Sequence, residues 1–141
     1  MRAGFMIGRI VLGLYYLLTG IMDVINYKML AGYAASKAVP AAEAAVIVAH
    51  LLLVLAGFCL LTGWRPALGV AAIVVFLIPV TFTMHAFWAE TAPQMKQMQM
   101  INFMKNMGLL GSALMFLAIP RPWPYSLESR EPLQPGRGVT A

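Results

Sequence analysis

The sequence predicts an all-α membrane protein: an antiparallel bundle of four transmembrane helices with a disordered C-terminal tail. Of its 141 residues 61% are hydrophobic and 11% charged, and the mean hydropathy is +0.79, whereas a soluble domain is roughly half apolar and about a quarter charged. Four apolar segments are long enough to cross a bilayer. The residues after them are rich in proline and charge. We therefore predict a transmembrane domain over residues 1–120 and a disordered cytoplasmic tail over residues 121–141.

The first span is predicted from about Gly4 to Ile25, and one of its faces is more polar than the rest. Two charged residues, two glycines and a tyrosine follow one another at a spacing of 4-3-4-3: Arg9, Gly13, Tyr16, Gly20 and Asp23. This spacing places them on one helix face, where the glycines allow a neighbouring helix to approach closely. Arg9 and Asp23 are about 21 Å apart along the helix axis. Arg9 must therefore reach the membrane surface or find an acceptor on another helix.

The next two spans are separated by a tight turn. Residues 26–40 are predicted to hold a short interfacial helix, which ends before Pro40 because a residue preceding proline disfavours helical geometry. The second span covers about 41–62, and the third about 67–85. The turn at 63–66 is short enough to make these two helices antiparallel neighbours.

The last span is predicted to follow a loop over residues 89–100 and to end near Ile119. Several methionines in and after this loop would suit a soft metal such as Cu(I), but their helical spacing from Met100 onwards favours packing. The single cysteine, Cys59, cannot form an internal disulfide, and two histidines give no zinc pattern. We therefore predict no metal site.

The start of the last span carries a second polar face. Asn102, Lys105 and Asn106 share one side of a helix with Leu109. Burial of such groups in hydrocarbon is expensive without partners, so the face is expected to look into protein. For Lys105 alone, a side chain that reaches out to the headgroups is an equally good interpretation.

Two histidines complete the polar inventory of the spans. His50 lies deep in the second span, where a neutral core histidine is the favoured interpretation and a proton relay or ligand contact is the alternative. His85 and Trp88 close the third span. An interfacial aromatic belt fully accounts for Trp88 without a ligand.

The charge distribution predicts the orientation. Four spans put both termini on one side, which holds all six arginines, while the four lysines fall on the other side. This bias favours cytoplasmic termini. The net charge of +5 is thus a topology signal, and we predict no nucleic-acid partner because no basic run interleaved with aromatics exists. His50 then lies near the midplane, Arg9 towards the inside, and the remaining polar candidates in the outer third: Asp23, His85, Trp88, Asn102, Lys105 and Asn106.

Four motifs in matching order carry a resemblance to a known family. They are Ile7–Gly13 followed by Gly20, Ala31–Lys37 through Pro40, His85 with Phe87 and Trp88, and Phe103–Asn106 with Leu109–Gly111. Together they resemble the DoxX family over roughly residues 5–118. The resemblance implies a four-helix protein of the bacterial inner (plasma) membrane that is associated with redox processes. One branch is similar to a small subunit of thiosulfate:quinone oxidoreductase, and another is linked to membrane oxidoreductase assemblies.

The chain departs from the family pattern at two places. The family usually has a glutamate in the second helix near Ala49 and His50, and a lysine soon after the Gly20 position, where this chain has Asp23 and later Lys28. A role that depends on a buried carboxylate is therefore not carried over to this chain.

The sequence thus predicts an accessory subunit of a quinone-linked membrane redox system, which is not catalytic alone and has no assigned catalytic residue. A quinone is the candidate ligand, and the expected partners are the lipid bilayer and either a redox protein or a second copy of the chain. The alternative is a structural or interaction protein with no small-molecule ligand. The candidate ligand-binding residues are Arg9, Asp23, His50, His85, Trp88, Asn102, Lys105 and Asn106.

Overall fold

The computed structural model describes residues 2–128, and this part of the chain is entirely helical apart from its connections. The helices are α1 (Arg2–Ile25), α2 (Tyr27–Ser36), α3 (Ala42–Thr62), α4 (Pro66–Met84) and α5 (Pro93–Met115), with short 3₁₀ turns at Phe87–Ala89 and Phe116–Ala118. Helices α1, α3, α4 and α5 are each long and apolar enough to cross a membrane. The predicted all-α membrane fold is confirmed.

The predicted tight turn joins α3 to α4. Gly63 ends α3 in the left-handed region at φ +66°, where glycine is favoured. A Cβ at this glycine would lie 2.5 Å from Cβ of Ser126, so a side chain would also clash. Pro66 then occupies the first turn of α4, where its missing N–H is not needed. The turn is short, and α3 and α4 pack side by side.

The spans pack in chain order, α1 on α3, α3 on α4 and α4 on α5. The closest approach is between α1 and α3, along the polar face predicted for the first span. A Cβ added at Gly20 would lie 2.8 Å from the carbonyl oxygen of His50, and one added at Gly57 would lie 2.5 Å from the backbone nitrogen of Leu17. The predicted close contact at glycine is therefore present, and glycines of both helices create it.

The two ends of the bundle are closed differently. At the end that holds the start of α1 and residues 121–128, here called the terminal end, α1 meets the residues after α5 through aromatic rings in edge-to-face contact. The ring centroid of Phe5 lies 5.9 Å from that of Phe116 and 5.2 Å from that of Trp123. At the opposite end, here called the α2 end, α2 packs through Ala31 and Ala34 on α3.

The structure differs from the sequence prediction at the start of the last span. The expected loop over 89–100 ends earlier, because α5 begins at Pro93 and its first turns contain the methionine-rich run. Proline suits the first helical position, and glutamine, methionine and lysine are good helix formers. Lys105 therefore lies about halfway along α5 rather than near its start.

The structure also differs at the predicted domain boundary. Residues 121–128, expected to begin a disordered tail, fold back on the terminal end. Trp123 is 1% exposed, and the Leu127 N–H donates to the carbonyl of Thr62 at 2.9 Å. The remainder of the predicted tail, residues 129–141, lies outside the described residues.

Candidate functional site

A cavity of about 660 Å³ lies in the α2-end half of the bundle, and residues of all five helices line it. Its walls are mainly apolar, as in most small-molecule sites, and its volume is in their usual range. Because α1 and α5 do not pack against each other along their length, the side between them is open. Five of the eight predicted site residues line this one cavity: Asp23, His50, His85, Lys105 and Asn106.

Asp23 of α1 and His50 of α3 form an ion pair on the cavity wall, with 3.0 Å between Oδ2 and Nε2. The other ring nitrogen of His50, Nδ1, lies 2.7 Å from the carbonyl oxygen of Val46. A carbonyl can only accept, so Nδ1 carries a proton. The contact between Nε2 and Oδ2 then needs one further proton, held by either the imidazole or the carboxyl. The pair is neutral overall in both arrangements.

The local sequence explains why this pair can form. Gly20 lies one turn before Asp23 and admits the backbone of α3 at His50. The Phe76 ring of α4 contacts the imidazole edge-on, with 5.8 Å between centroids. The side chain of His50 is 11% exposed and that of Asp23 is 33% exposed. His50 thus has the backbone hydrogen bond of a core histidine and also holds a carboxylate that faces the cavity.

A chain of hydrogen bonds crosses the rim of the cavity at the α2 end. Nδ1 of His85 lies 2.8 Å from Oε1 of Gln99, whose Nε2 donates to the Tyr33 hydroxyl at 2.8 Å. The Tyr33 hydroxyl donates in turn to the Met84 carbonyl at 3.3 Å. Because the chain ends on a carbonyl, every donor direction follows, and Nδ1 of His85 carries the proton. The other ring nitrogen of His85, Nε2, takes no part in this chain of hydrogen bonds.

Gln99 was missed in the sequence because it was assigned to a loop. It is 2% exposed, and the buried residues of α5 are spaced by seven: Gln99, Asn106 and Ala113. This heptad repeat was available in the sequence once the helix was allowed to begin at Pro93.

The predicted polar face of α5 is divided in the structure. Asn106 is buried, whereas Lys105 is exposed and donates from Nζ to Oδ1 of Asn102 at 3.2 Å. Lys105 has no acidic partner within residues 2–128. Both Lys105 and Asn106 border the cavity, but Asn102 does not. Of the three residues expected to face inward, Asn106 is buried at the cavity, Lys105 borders the cavity while exposed, and Asn102 lies outside it.

An ion pair ties α2 to the connection between α4 and α5 at the same rim. Nζ of Lys37, in the residue after α2, donates to Oε1 of Glu90. This hydrogen bond to the carboxylate raises the pKa of Lys37 above its ordinary value. The ammonium also lies 5.8 Å from the centroid of the Tyr33 ring. Both contacts hold α2 over the cavity.

Two further predicted site residues lie away from the cavity. The Arg9 guanidinium is buried at the terminal end and donates to the carbonyls of Pro124 at 2.9 Å and Tyr125 at 3.3 Å. Arg9 therefore does find an acceptor, on a segment that was expected to be disordered. Trp88 is 54% exposed and packs against the rings of Phe82 and Phe103, as an aromatic belt residue would.

The described residues contain no group of three or more histidine, cysteine or acidic side chains placed to hold a metal ion. Cys59 is buried in the core between α3 and α4, where its Cβ would lie 2.7 Å from a Cβ at Gly69.

Comparison with protein families decides the relationship of the chain. The DoxX family model matches residues 4–86, which is more than half of the sequence. The chain belongs to the DoxX family. In this DoxX protein the matched residues cover α1 to α4 and include Asp23, His50 and His85, whereas α5 follows the match. Comparisons with curated proteins and with solved structures find no match.

The two places where the chain departs from the pattern that the resemblance implies come together in the structure. The resemblance implies a lysine after Gly20 and a glutamate near His50. This DoxX protein has Asp23 and His50 at these places, and the two form an ion pair. The acidic group is thus on the first span and the basic group on the second, the reverse of the implied arrangement. A carboxylate faces the cavity after all, but α1 supplies it.

Proposed function

We propose that this DoxX protein is an accessory subunit of a quinone-linked redox system in the bacterial inner membrane, with cytoplasmic termini, and that its cavity binds the ring of a quinone or quinol. The observation that carries the proposal is the placement of an acid–base pair on the wall of an otherwise apolar cavity within the membrane-spanning helices. Ionisable groups within membrane spans are costly and typically mark functional sites.

The polar groups around the cavity suit the two oxygens of such a ring. Asp23 presents an acceptor, and Asn106 and Lys105 present donors from α5 on another wall. Within residues 2–128 the Asn106 amide has no hydrogen-bond partner, so a ligand can use it without breaking an existing bond. Apolar side chains such as Leu53, Phe76 and Leu109 supply the remaining lining.

The open side between α1 and α5 suits a ligand that arrives from the lipid. A ring in the cavity would leave an isoprenoid tail in the hydrocarbon, where tail burial costs nothing. At the α2 end the ion pair of Lys37 with Glu90 and the hydrogen bonds of Tyr33 hold α2 over the cavity. Lateral entry is therefore the favoured route.

The proposal assigns electron transfer to a partner. A single cysteine cannot alternate between dithiol and disulfide within the chain, and no nucleotide-binding motif occurs in the sequence. A redox protein that docks beside the bundle would exchange electrons with the bound ring. The chain itself would bind and orient the ring.

The test is ligand-dependent stability of the purified full chain in lipid nanodiscs. A short-chain ubiquinone and its quinol should each raise the unfolding midpoint as binding shifts the equilibrium towards the folded state. Asn106→Leu should reduce the shift, because it removes a polar group of the cavity at similar volume. Trp88→Phe, which changes an exposed ring outside the cavity, is the matched control and should leave the shift intact.

A parent midpoint that moves with neither ligand, at concentrations that saturate known quinone sites, would overturn the proposal. The alternative function, a packing protein with no small-molecule ligand, would then be the better description.

A further inference from the structure

We infer that Asp23 makes the cavity selective for the reduced, hydroxylated form of its ligand, through an oxygen atom that can only accept a hydrogen bond. The inference rests on the proposed function, since it concerns which redox state the same cavity prefers. It is carried by the hydrogen-bond directions around His50.

The first step is that one oxygen of Asp23 is already used. Oδ2 lies 3.0 Å from Nε2 of His50. Within residues 2–128 no hydrogen bond reaches the other oxygen, Oδ1, although one third of the Asp23 side chain is exposed and the residue lines the cavity. Oδ1 is therefore the carboxylate atom that a ligand can contact.

The second step is that Oδ1 is a hydrogen-bond acceptor in both arrangements, with the shared proton on the imidazole or on the carboxyl. The Val46 carbonyl fixes a proton on Nδ1 of His50. If Nε2 is also protonated, Asp23 is a carboxylate and Oδ1 is an anionic acceptor. If the proton instead sits on Oδ2, Nε2 accepts it and Oδ1 is a carbonyl oxygen. Protonation of Oδ1 with a neutral imidazole would set two lone pairs against each other across 3.0 Å, which is unfavourable.

The third step concerns the groups that face the pair. On α1 these are the phenols of Tyr15 and Tyr16; α4 contributes the apolar ring of Phe76, and α5 contributes Lys105 at the cavity edge. On the α2 side the Lys37 ammonium is already paired with Glu90. None of these groups donates a hydrogen bond to Oδ1 in the described structure, so the acceptor is left for the ligand.

The fourth step matches the ligand to this acceptor. A quinol hydroxyl can donate to Oδ1, whereas a quinone carbonyl would place oxygen lone pairs against it. Hydrogen bonds to charged groups contribute enough that this difference corresponds to about ten- to a hundredfold in affinity. The donors on α5, by contrast, can form a hydrogen bond to an oxygen of either the quinone or the quinol. Asp23 is thus the residue that distinguishes the two redox states.

The experiment measures dissociation constants for one ring and tail in both redox states, under anaerobic conditions, with the full chain in nanodiscs. The parent should bind the short-chain ubiquinol at least about tenfold more tightly than the corresponding ubiquinone. Asp23→Leu, which removes the acceptor and keeps a side chain of similar length, should bring the ratio close to one. Trp88→Phe should leave the ratio unchanged.

The outcomes separate the two proposals. If neither form binds, the proposed function fails. If both forms bind the parent equally well, the quinone-binding proposal stands and the selectivity is overturned. The parent ratio is sufficient for this decision, so it does not depend on whether Asp23→Leu folds. A ratio that Asp23→Leu leaves intact would show that another residue distinguishes the two redox states.

Discussion

The carboxylate of Asp23 lies 3.0 Å from Nε2 of His50 and joins α1 to α3 at the wall of the cavity. The two residues lie on different helices, and each one alone looks like an isolated polar group in an apolar span. Gly20 brings the helices close enough for the contact. Together the residues form a neutral pair that a membrane interior tolerates better than either charge separately.

The pair is expected to be energetically coupled. Asp23→Leu and His50→Leu should each destabilise the bundle, because each leaves a polar partner without its hydrogen bond. The double variant should lose less than the sum of the two, with a coupling of about 0.5–3 kcal/mol. Reversible unfolding in detergent would measure all four proteins. Additive losses would mean that the contact does not contribute to stability.

The sequence predicted the face of α1 that packs against α3 better than it predicted α5. The 4-3-4-3 spacing from Arg9 to Asp23 identified the face of the first span that packs against a neighbour, because a helix fixes which residues share a face. The partner of each residue could not be predicted, since partners depend on the tilt and rotation of a second helix. His50 was therefore known as a candidate but not as the partner of Asp23.

The failures have local causes. The sequence prediction places Pro93 in a loop, although proline is favoured at the first turn of a helix. It therefore misses Gln99 and puts Lys105 too close to a helix end. The proline-rich composition after residue 120 concealed Trp123, whose ring fits between Phe5 and Phe116. A single large aromatic can order a segment whose overall composition favours disorder.

The glycine contact between α1 and α3 gives a prediction with an internal control. Gly57→Ala would put a Cβ 2.5 Å from the backbone nitrogen of Leu17, so the helices must separate and the melting midpoint should fall. Gly108→Ala, in α5, meets nothing within 4 Å. It should leave stability unchanged or raise it by up to about 1 kcal/mol through helix propensity. Equal effects of the two variants would contradict the close packing.

Arg9 is expected to hold residues 121–128 on the terminal end. Arg9→Met removes two hydrogen bonds from a charged donor to the carbonyls of Pro124 and Tyr125, a loss of about 1.5–3 kcal/mol per bond before relaxation. Trp123 should then become accessible. In a background where Trp64 and Trp88 are replaced by phenylalanine, the remaining tryptophan should be quenched by iodide.

The control for this measurement is another arginine that the structure leaves exposed. Arg121→Met changes an exposed side chain in the same segment and should leave the Trp123 fluorescence protected. If Trp123 is protected from iodide in Arg9→Met as well, the packing of Trp123 alone holds the segment in place.

The contact between Lys37 and Glu90 makes the stability of the folded state depend on pH. The hydrogen bond to Glu90 raises the pKa of the Lys37 ammonium above the ordinary value of 10.5. The contact therefore stabilises the folded state fully below that ordinary value and is lost as the pH rises through the higher folded pKa. The effect should be small, because the side chains of Lys37 and Glu90 are 25% and 17% exposed and solvent partly screens the pair. Carbon NMR of labelled lysine should show the raised pKa of Lys37 in the parent and its return towards 10.5 in Glu90→Gln. An unchanged Lys37 pKa in that variant would show that Glu90 is not the cause.

Tyr16 gives the sharpest separation of a structural role from a ligand-binding role. Its side chain is 1% exposed, it lines the cavity, and its hydroxyl has no hydrogen-bond partner within residues 2–128. A buried hydroxyl without a partner costs free energy, so Tyr16→Phe should leave the ligand-free midpoint unchanged or raise it. If the ligand supplies the missing partner, the same variant should bind quinol more weakly, by about 1 kcal/mol or roughly fivefold. Tyr15→Phe, on the neighbouring half-exposed ring, is the matched control and should change affinity less. A Tyr16→Phe protein that is destabilised without ligand, and that binds quinol as the parent does, would show that the hydroxyl serves the fold and not the cavity.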